Sequence, residues 1–323
     1  MEAMKNNHID LYDAVKGFAI FLVVLGHAIA WQFNDYSLVL SGSNKDVMLL
    51  WRIIYSFHMP LFFFCSGLFH DKANEYYSFR NSVCLVYKRF LTLIIPYFVT
   101  GSIYNIVSGN FRFYWFLLTL FEFVVFSIVL NYIFAKIKLL PNLRYFFYGL
   151  LIMTCPFIIP KIYAHECLPF IDIHHFSLLP YFLLGIICHR FHVIEKLCRA
   201  NNQKKVFTIA LVSFTLFVYL FIIKEFKLPL MGIIGYGLPM SAFVVVLVFL
   251  NYGVNKETKT YKTLCNLGVH SLEIYLLHVF FRIQIPEIGS FIIRNYDGLG
   301  GGKICSYNTI YSSRYTCYNS HIF

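Results

Sequence analysis

The chain has 323 residues, 59% of them hydrophobic and 13% charged, with mean hydropathy +0.64 and a net charge of +11. Soluble domains hold about 45–50% apolar and about 25% charged residues. A single water-soluble domain, a disordered chain and a disulfide-stapled miniature domain are therefore excluded, and an integral membrane protein remains.

A helix crosses a hydrocarbon core of about 30 Å with about 20 mainly apolar residues. Uncharged runs fall at 17–34, 53–70, 90–111, 145–160, 173–189, 206–223 and 228–255. Two more, 113–135 and 263–281, are interrupted only by Glu122 and Glu273. The runs are continuous rather than alternating, which predicts an all-α polytopic membrane protein of about nine transmembrane helices and not a barrel. The first run lacks a small-residue cleavage site, so it reads as a span and not as a signal peptide. Residues 1–290 form one transmembrane domain in this reading, without a repeat unit or a soluble module.

Charge bias orients the spans. With the N-terminus in the cytoplasm, the inner segments hold Lys5, then Lys72, Arg80, Lys88 and Arg89, then Lys136, Lys138 and Arg144. Arg190, Lys196, Arg199, Lys204, Lys205, Lys256, Lys259 and Lys262 follow, against Lys45, Arg112, Lys161, Lys224 and Lys227 outside. That asymmetry follows the positive-inside rule and makes the net charge a topology signal before it is a nucleic-acid signal. Basic loops of this kind also attract anionic lipid. The nine cysteines are scattered with no C-x-x-C pair, and neither His189/His192 nor His174/His175 has a third ligand, so no disulfide framework and no metal are expected.

Ionisable groups within a span normally face a bundle interior or a wet cavity. Lys16 and His27 lie eleven residues apart, close to three whole turns, which places them on one face and about 16 Å apart along the axis. Asp13, one turn before Lys16, can neutralise it. Lys16 could snorkel to the cytoplasmic surface, whereas His27 is too deep. In the second span Pro60 removes a helix hydrogen bond beside His58, which predicts a broken helix and a polar cavity. Arg52 lies nearly two turns before His58 and could reach the outer interface. Glu122 lies about seven residues from the outer end of its span, at the expected depth of His27, where a Glu–His pair would orient the imidazole. His270 and Glu273 read as a structural pair near the inner end of the last span, with His278 deeper.

The segment Asp13–His27 resembles the Arg-x10-His signature of the membrane acyltransferase-3 family, in the form typical of fucose 4-O-acetylase and related acetyltransferases. Phe57-His58-Met59-Pro60-Leu61 with Ser66-Gly67-Leu68, Lys88-Arg89-Phe90 with Pro96-Tyr97, and Tyr114-Trp115-Phe116-Leu117 are similar to further family motifs, in the same order. Pro180–Gly185 and Ser271–His278 complete the series, so the resemblance covers roughly residues 8–285. The signature arginine is Lys16 here, which keeps the charge and loses bidentate binding. Glu122 is not at the spacing of any family glutamate and rests on its depth alone.

The resemblance implies a catalytic base at His27, a site lined by His58, and a donor side formed by Lys16, Lys88 and Arg89. It implies an acyl transfer, usually of acetyl from cytoplasmic acetyl-coenzyme A, onto a hydroxyl of an envelope glycan or lipid-linked sugar, in a bacterial inner membrane. The competing class is a secondary transporter with intramembrane His, Lys and Glu as a proton pathway, which predicts paired repeats that the sequence does not show. From Gly301 to Ser320 there is no Leu, Val, Phe, Ala or Met, so residues 291–323 form a polar tail that cannot span. The resemblance implies a tenth span here, so the abrupt change of composition reads either as an aberrant C-terminus that has lost it or as a genuine short polar tail on the outer side.

Overall fold

The computed structural model describes residues 2–32, 45–70, 78–109, 114–163, 173–198, 203–225 and 231–281. The expected polar tail lies outside them. Among the described residues there are helices and no strands. In chain order they are α1 (Glu2–Gln32), α2 (Lys45–Leu68), α3 (Phe79–Ser108), α4 (Trp115–Lys136) and α5 (Pro141–Tyr163). Then come α6 (Leu179–Arg190), α7 (Gln203–Glu225), α8 (Met231–Val248), α9 (Lys259–Val269) and α10 (Ser271–Leu277). Short helices Ile173–Phe176 and Val193–Cys198 flank α6.

Among the described residues, five segments are long and apolar enough to cross a membrane: Asp10–Trp31, Leu49–Leu68, Phe79–Ser108, Trp115–Lys136 and Lys205–Ile223. A sixth, Lys259–Phe281, qualifies as one span bent by 72°. α6 and the segment Gly237–Gly253 are apolar but shorter.

Ring contacts fix the register of the first four helices. Tyr12 meets Phe69 edge to face at 5.8 Å, and a Cβ on Gly26 would come within 2.8 Å of the Tyr55 ring. Both contacts advance fourteen residues, 12 to 26 on α1 and 69 to 55 on α2, so the two helices run antiparallel in a constant register. On the next pair, Phe63 lies 5.1 Å from Phe123 and His70 Nε2 lies 2.6 Å from Ser127 Oγ, so α4 runs parallel to α2. Phe79 packs on Tyr132 and Phe90 on Phe121, so α3 opposes α4. The chain therefore alternates direction, as consecutive spans must.

Two glycine contacts bring helices close together. A side chain on Gly17 would run into the carbonyl of Leu264, and one on Gly268 into that of Asp13, so α1 and α9 touch backbone to backbone. Gly67 and Gly185 do the same for α2 and α6, against the carbonyls of Phe182 and Phe64. Small residues at these crossings are how helices associate where lipid supplies no hydrophobic drive.

The break expected at Pro60 is absent: α2 runs as one helix through it. One missing amide hydrogen bond is tolerated because the turns on either side keep theirs and α2 is packed against α1 and α6. The break occurs instead at His270, between α9 and α10. α3 also carries a π-helical turn at Phe90–Ile94, directly after Arg89.

Candidate active site

The register places the ionisable residues on two levels. His27 stands near the end of α1 remote from Lys16 and is half-buried. Its Nδ1 lies 3.0 Å from Nε2 of His278, which follows α10. The two imidazoles are nearly parallel, with centroids 5.0 Å apart, and Trp31 stacks on both, at 5.8 Å from His27 and 5.9 Å from His278. This juxtaposition depends on the bend at His270: α9 is held against Gly17 and Asp13, and α10 then turns to carry His278 to the other half of α1.

Hydrogen bonding selects the tautomers. His278 Nδ1 faces two acceptors, the carbonyls of Tyr275 at 2.7 Å and Ile274 at 3.2 Å, so it carries the proton. Nε2 of a neutral His278 then offers a lone pair, and His27 Nδ1–H donates to it. The lone pair of His27 is left on Nε2, which is the arrangement of a general base held by a second group. Tyr275 is itself braced, with its ring 5.2 Å from Phe116 and the Tyr114 hydroxyl donating to the Leu276 carbonyl at 3.0 Å.

His58 is buried, and its Nδ1 lies 2.8 Å from the Ile54 carbonyl. Neutral His58 therefore donates from Nδ1 and presents only a lone pair at Nε2. The α1–α2 register sets it level with Val23, roughly 6 Å from the level of His27 on the Lys16 side. Tyr55 lies between it and Trp51, in contact with both rings.

The second level is charged. Lys16 Nζ is 3.9 Å from Asp13 Oδ1 and 5.0 Å from the centre of the Phe69 ring, so the neutralisation expected from their spacing is present. Lys88 is exposed and Arg89 half-buried, and among the described residues neither has an acidic partner within ion-pair distance. Phe90 packs on Phe121, which puts their chain neighbours Arg89 and Glu122 at one depth.

That depth corrects one expectation. Glu122 precedes Phe123, which packs on Phe63, and Phe63 lies eight residues from Tyr55, about 12 Å along α2 toward the Lys16 end. Glu122 belongs to the level of Lys16 and Arg89, not to that of His27. Counting from a helix end failed because packing, not the length of the loop, sets how far α4 is inserted. The hydrogen bond that orients His27 comes from His278. The sequence places His278 deep in the last span, within Tyr275-Leu276-Leu277-His278, and assigns it no partner.

Other expected sets stay apart or thin. The rings of His189 and His192 are 6.5 Å apart, and the described residues hold no group of three or more His, Cys, Asp or Glu that could bind a metal ion. His270 and Glu273 are both exposed, and no ion pair joins them.

The family model for the acyltransferase domain matches residues 9–285, a range that holds both levels and every helix from α1 to α10 except the first residues of α1. No curated protein and no solved structure matches the chain.

Proposed function

Because the chain belongs to this acyltransferase family, we propose that it is a bacterial inner-membrane O-acyltransferase moving acetyl from cytoplasmic acetyl-coenzyme A to a hydroxyl of an envelope glycan or lipid-linked sugar. In this reading nine spans cross the bilayer with the N-terminus inside, so the charged level faces the cytoplasm. The observation that supports it most is the His27–His278 hydrogen bond, which gives a half-buried imidazole a fixed tautomer with its lone pair on Nε2.

A sugar hydroxyl is a poor nucleophile until its proton is removed. His27 Nε2 takes that proton as the hydroxyl oxygen attacks the thioester carbonyl carbon. The positive charge that develops on His27 strengthens its Nδ1–H bond to His278 Nε2, and the carbonyls of Tyr275 and Ile274 hold that second ring in place. The tetrahedral oxyanion collapses, the carbon–sulfur bond breaks, and the proton on His27 passes to the departing thiolate. Arg89 and Lys88, with no acidic partner among the described residues, hold the donor's phosphates, while Lys16 contributes less because Asp13 already offsets its charge. His58 lines the route between the levels. In its neutral tautomer it accepts at Nε2 and so does not serve as the oxyanion donor. Glu122 takes no part in the proton transfer and shapes the charged level.

Mass spectrometry of envelope glycans tests the reading in cells with the wild-type gene, without it, and with His27→Ala. The expected result is a mass difference of one acetyl group that requires both the gene and His27. Identical glycans in all three would refute the reading.

A further inference from the structure

We propose that the indole N–H of Trp51 binds an oxygen of the acceptor sugar, on the side of His27 that faces away from Lys16. The inference rests on the acyl-transfer reading and assigns a contact to its second substrate.

Trp51 is only 9% exposed, and among the described residues its Nε1–H has no hydrogen-bond partner. A buried donor left without an acceptor costs free energy that folding does not recover, and native chains keep few such groups. An acceptor atom brought by a ligand satisfies it. The surroundings tie the indole to the reactive centre. Its ring lies face to face with Tyr55, with centroids 4.0 Å apart, and Tyr55 covers Gly26, the residue before His27. The α1–α2 register sets Trp51 level with Ala30, three residues beyond His27 and about 4.5 Å along the axis. Trp31, at nearly the same level, stacks on the imidazole pair. Two of the three tryptophans in the chain thus stand at one end of the pair.

The ligand class follows from the opposite end. Donor phosphates belong with Arg89 and Lys88 on the charged level, so the thioester reaches His27 from below. The group that approaches from the tryptophan side brings the hydroxyl. A sugar offers oxygens that accept an N–H and C–H faces that lie against aromatic rings, and these are the two things this end supplies. While one hydroxyl loses its proton to His27 Nε2, another oxygen of the same sugar accepts from Trp51.

Trp51→Phe keeps an aromatic ring and removes the N–H. The test uses detergent-purified protein, radiolabelled acetyl-coenzyme A, and envelope polysaccharide extracted from cells that lack the gene. The variant is expected to need about three- to tenfold more polysaccharide for half-maximal transfer, the size of one neutral hydrogen bond. Half-saturation by acetyl-coenzyme A stays within about twofold, and the melting temperature does not fall, because an unsatisfied donor has been removed. Unchanged polysaccharide dependence overturns the assignment. So does equal weakening of both substrates with a lowered melting temperature, the signature of a packing residue. A wild-type protein that transfers no label to the polysaccharide refutes the acyl-transfer reading itself, and the Trp51 contact with it.

Discussion

The two ends of the α1–α2 pair are built from different chemistry. At one end Lys16, Asp13, Arg89 and Glu122 share a level and carry formal charge. At the other, His27, His278, Trp31 and Trp51 supply aromatic rings, with Arg52 beside them on α2. The axial separation is about 16 Å, from Lys16 to His27. The ring end is braced through a chain of contacts: His27 to His278, His278 to Tyr275, and Tyr275 to Phe116. The charged end has the Lys16–Asp13 ion pair at 3.9 Å, and among the described residues Lys88 and Arg89 meet no carboxylate within ion-pair distance. In the proposed reaction the proton-transfer group must be held within tenths of an ångström, and His27 stands where a neighbour fixes its tautomer. A phosphate-holding group works through charge and tolerates more freedom, so it can stand at a wetter edge.

His278→Ala breaks the comparison at its strongest point. Turnover should fall roughly ten- to hundredfold, the loss of a buried hydrogen bond to a group that becomes charged, while half-saturation by acetyl-coenzyme A holds. Steady-state kinetics with both substrates varied would show this split. A loss confined to donor affinity would mean that the histidine pair serves binding and not proton transfer.

Arg89→Ala tests the other end. We expect about a tenfold rise in the acetyl-coenzyme A concentration for half-maximal rate, with turnover nearly preserved. Dephospho-coenzyme A thioesters should narrow the gap between variant and wild type, because the lost contact is to phosphate. Lys16→Ala should cost less, about two- to threefold, since Asp13 already offsets its charge and Phe69 shares it. Lys16→Arg should be tolerated and restores the commoner cation of the family signature. If Lys16→Ala proves more damaging than Arg89→Ala in the same donor titration, the order within the charged level is reversed.

The sequence made one of these ends more legible than the other. Continuous apolar runs mark the helices, and helical periodicity alone puts Lys16, Asp13 and His27 on one face. The register between helices is not encoded that way. Ring contacts such as Tyr12–Phe69 and Phe63–Phe123 set it, with the glycine crossings at Gly17, Gly67, Gly185 and Gly268, and each depends on a partner far along the chain. His278 is 251 residues from His27 and reaches it only through the bend at His270, which has no proline to announce it. Pro60 did announce a break, and the surrounding turns absorb it. Local signals thus give the elements and one helix face, while the His27–His278 pairing belongs to tertiary packing.

Glu122→Gln is the smallest expected effect and the sharpest probe of level. If depth were read from the helix end, Glu122 would stand beside His27, and losing its charge would remove the group that orients the base. Turnover would then fall by an amount similar to that in His278→Ala. The packing of Phe123 on Phe63 and of Phe121 on Phe90 puts it about 12 Å away, on the level of Arg89. Neutralising a carboxylate there leaves proton transfer intact and makes the donor side more positive. Turnover should therefore change by less than about twofold, and donor half-saturation should stay the same or improve slightly. Parallel kinetics on Glu122→Gln and His278→Ala separate the alternatives directly. A shared large loss of turnover would mean that the carboxylate and the imidazoles work as one unit, and the two-level division would have to be abandoned.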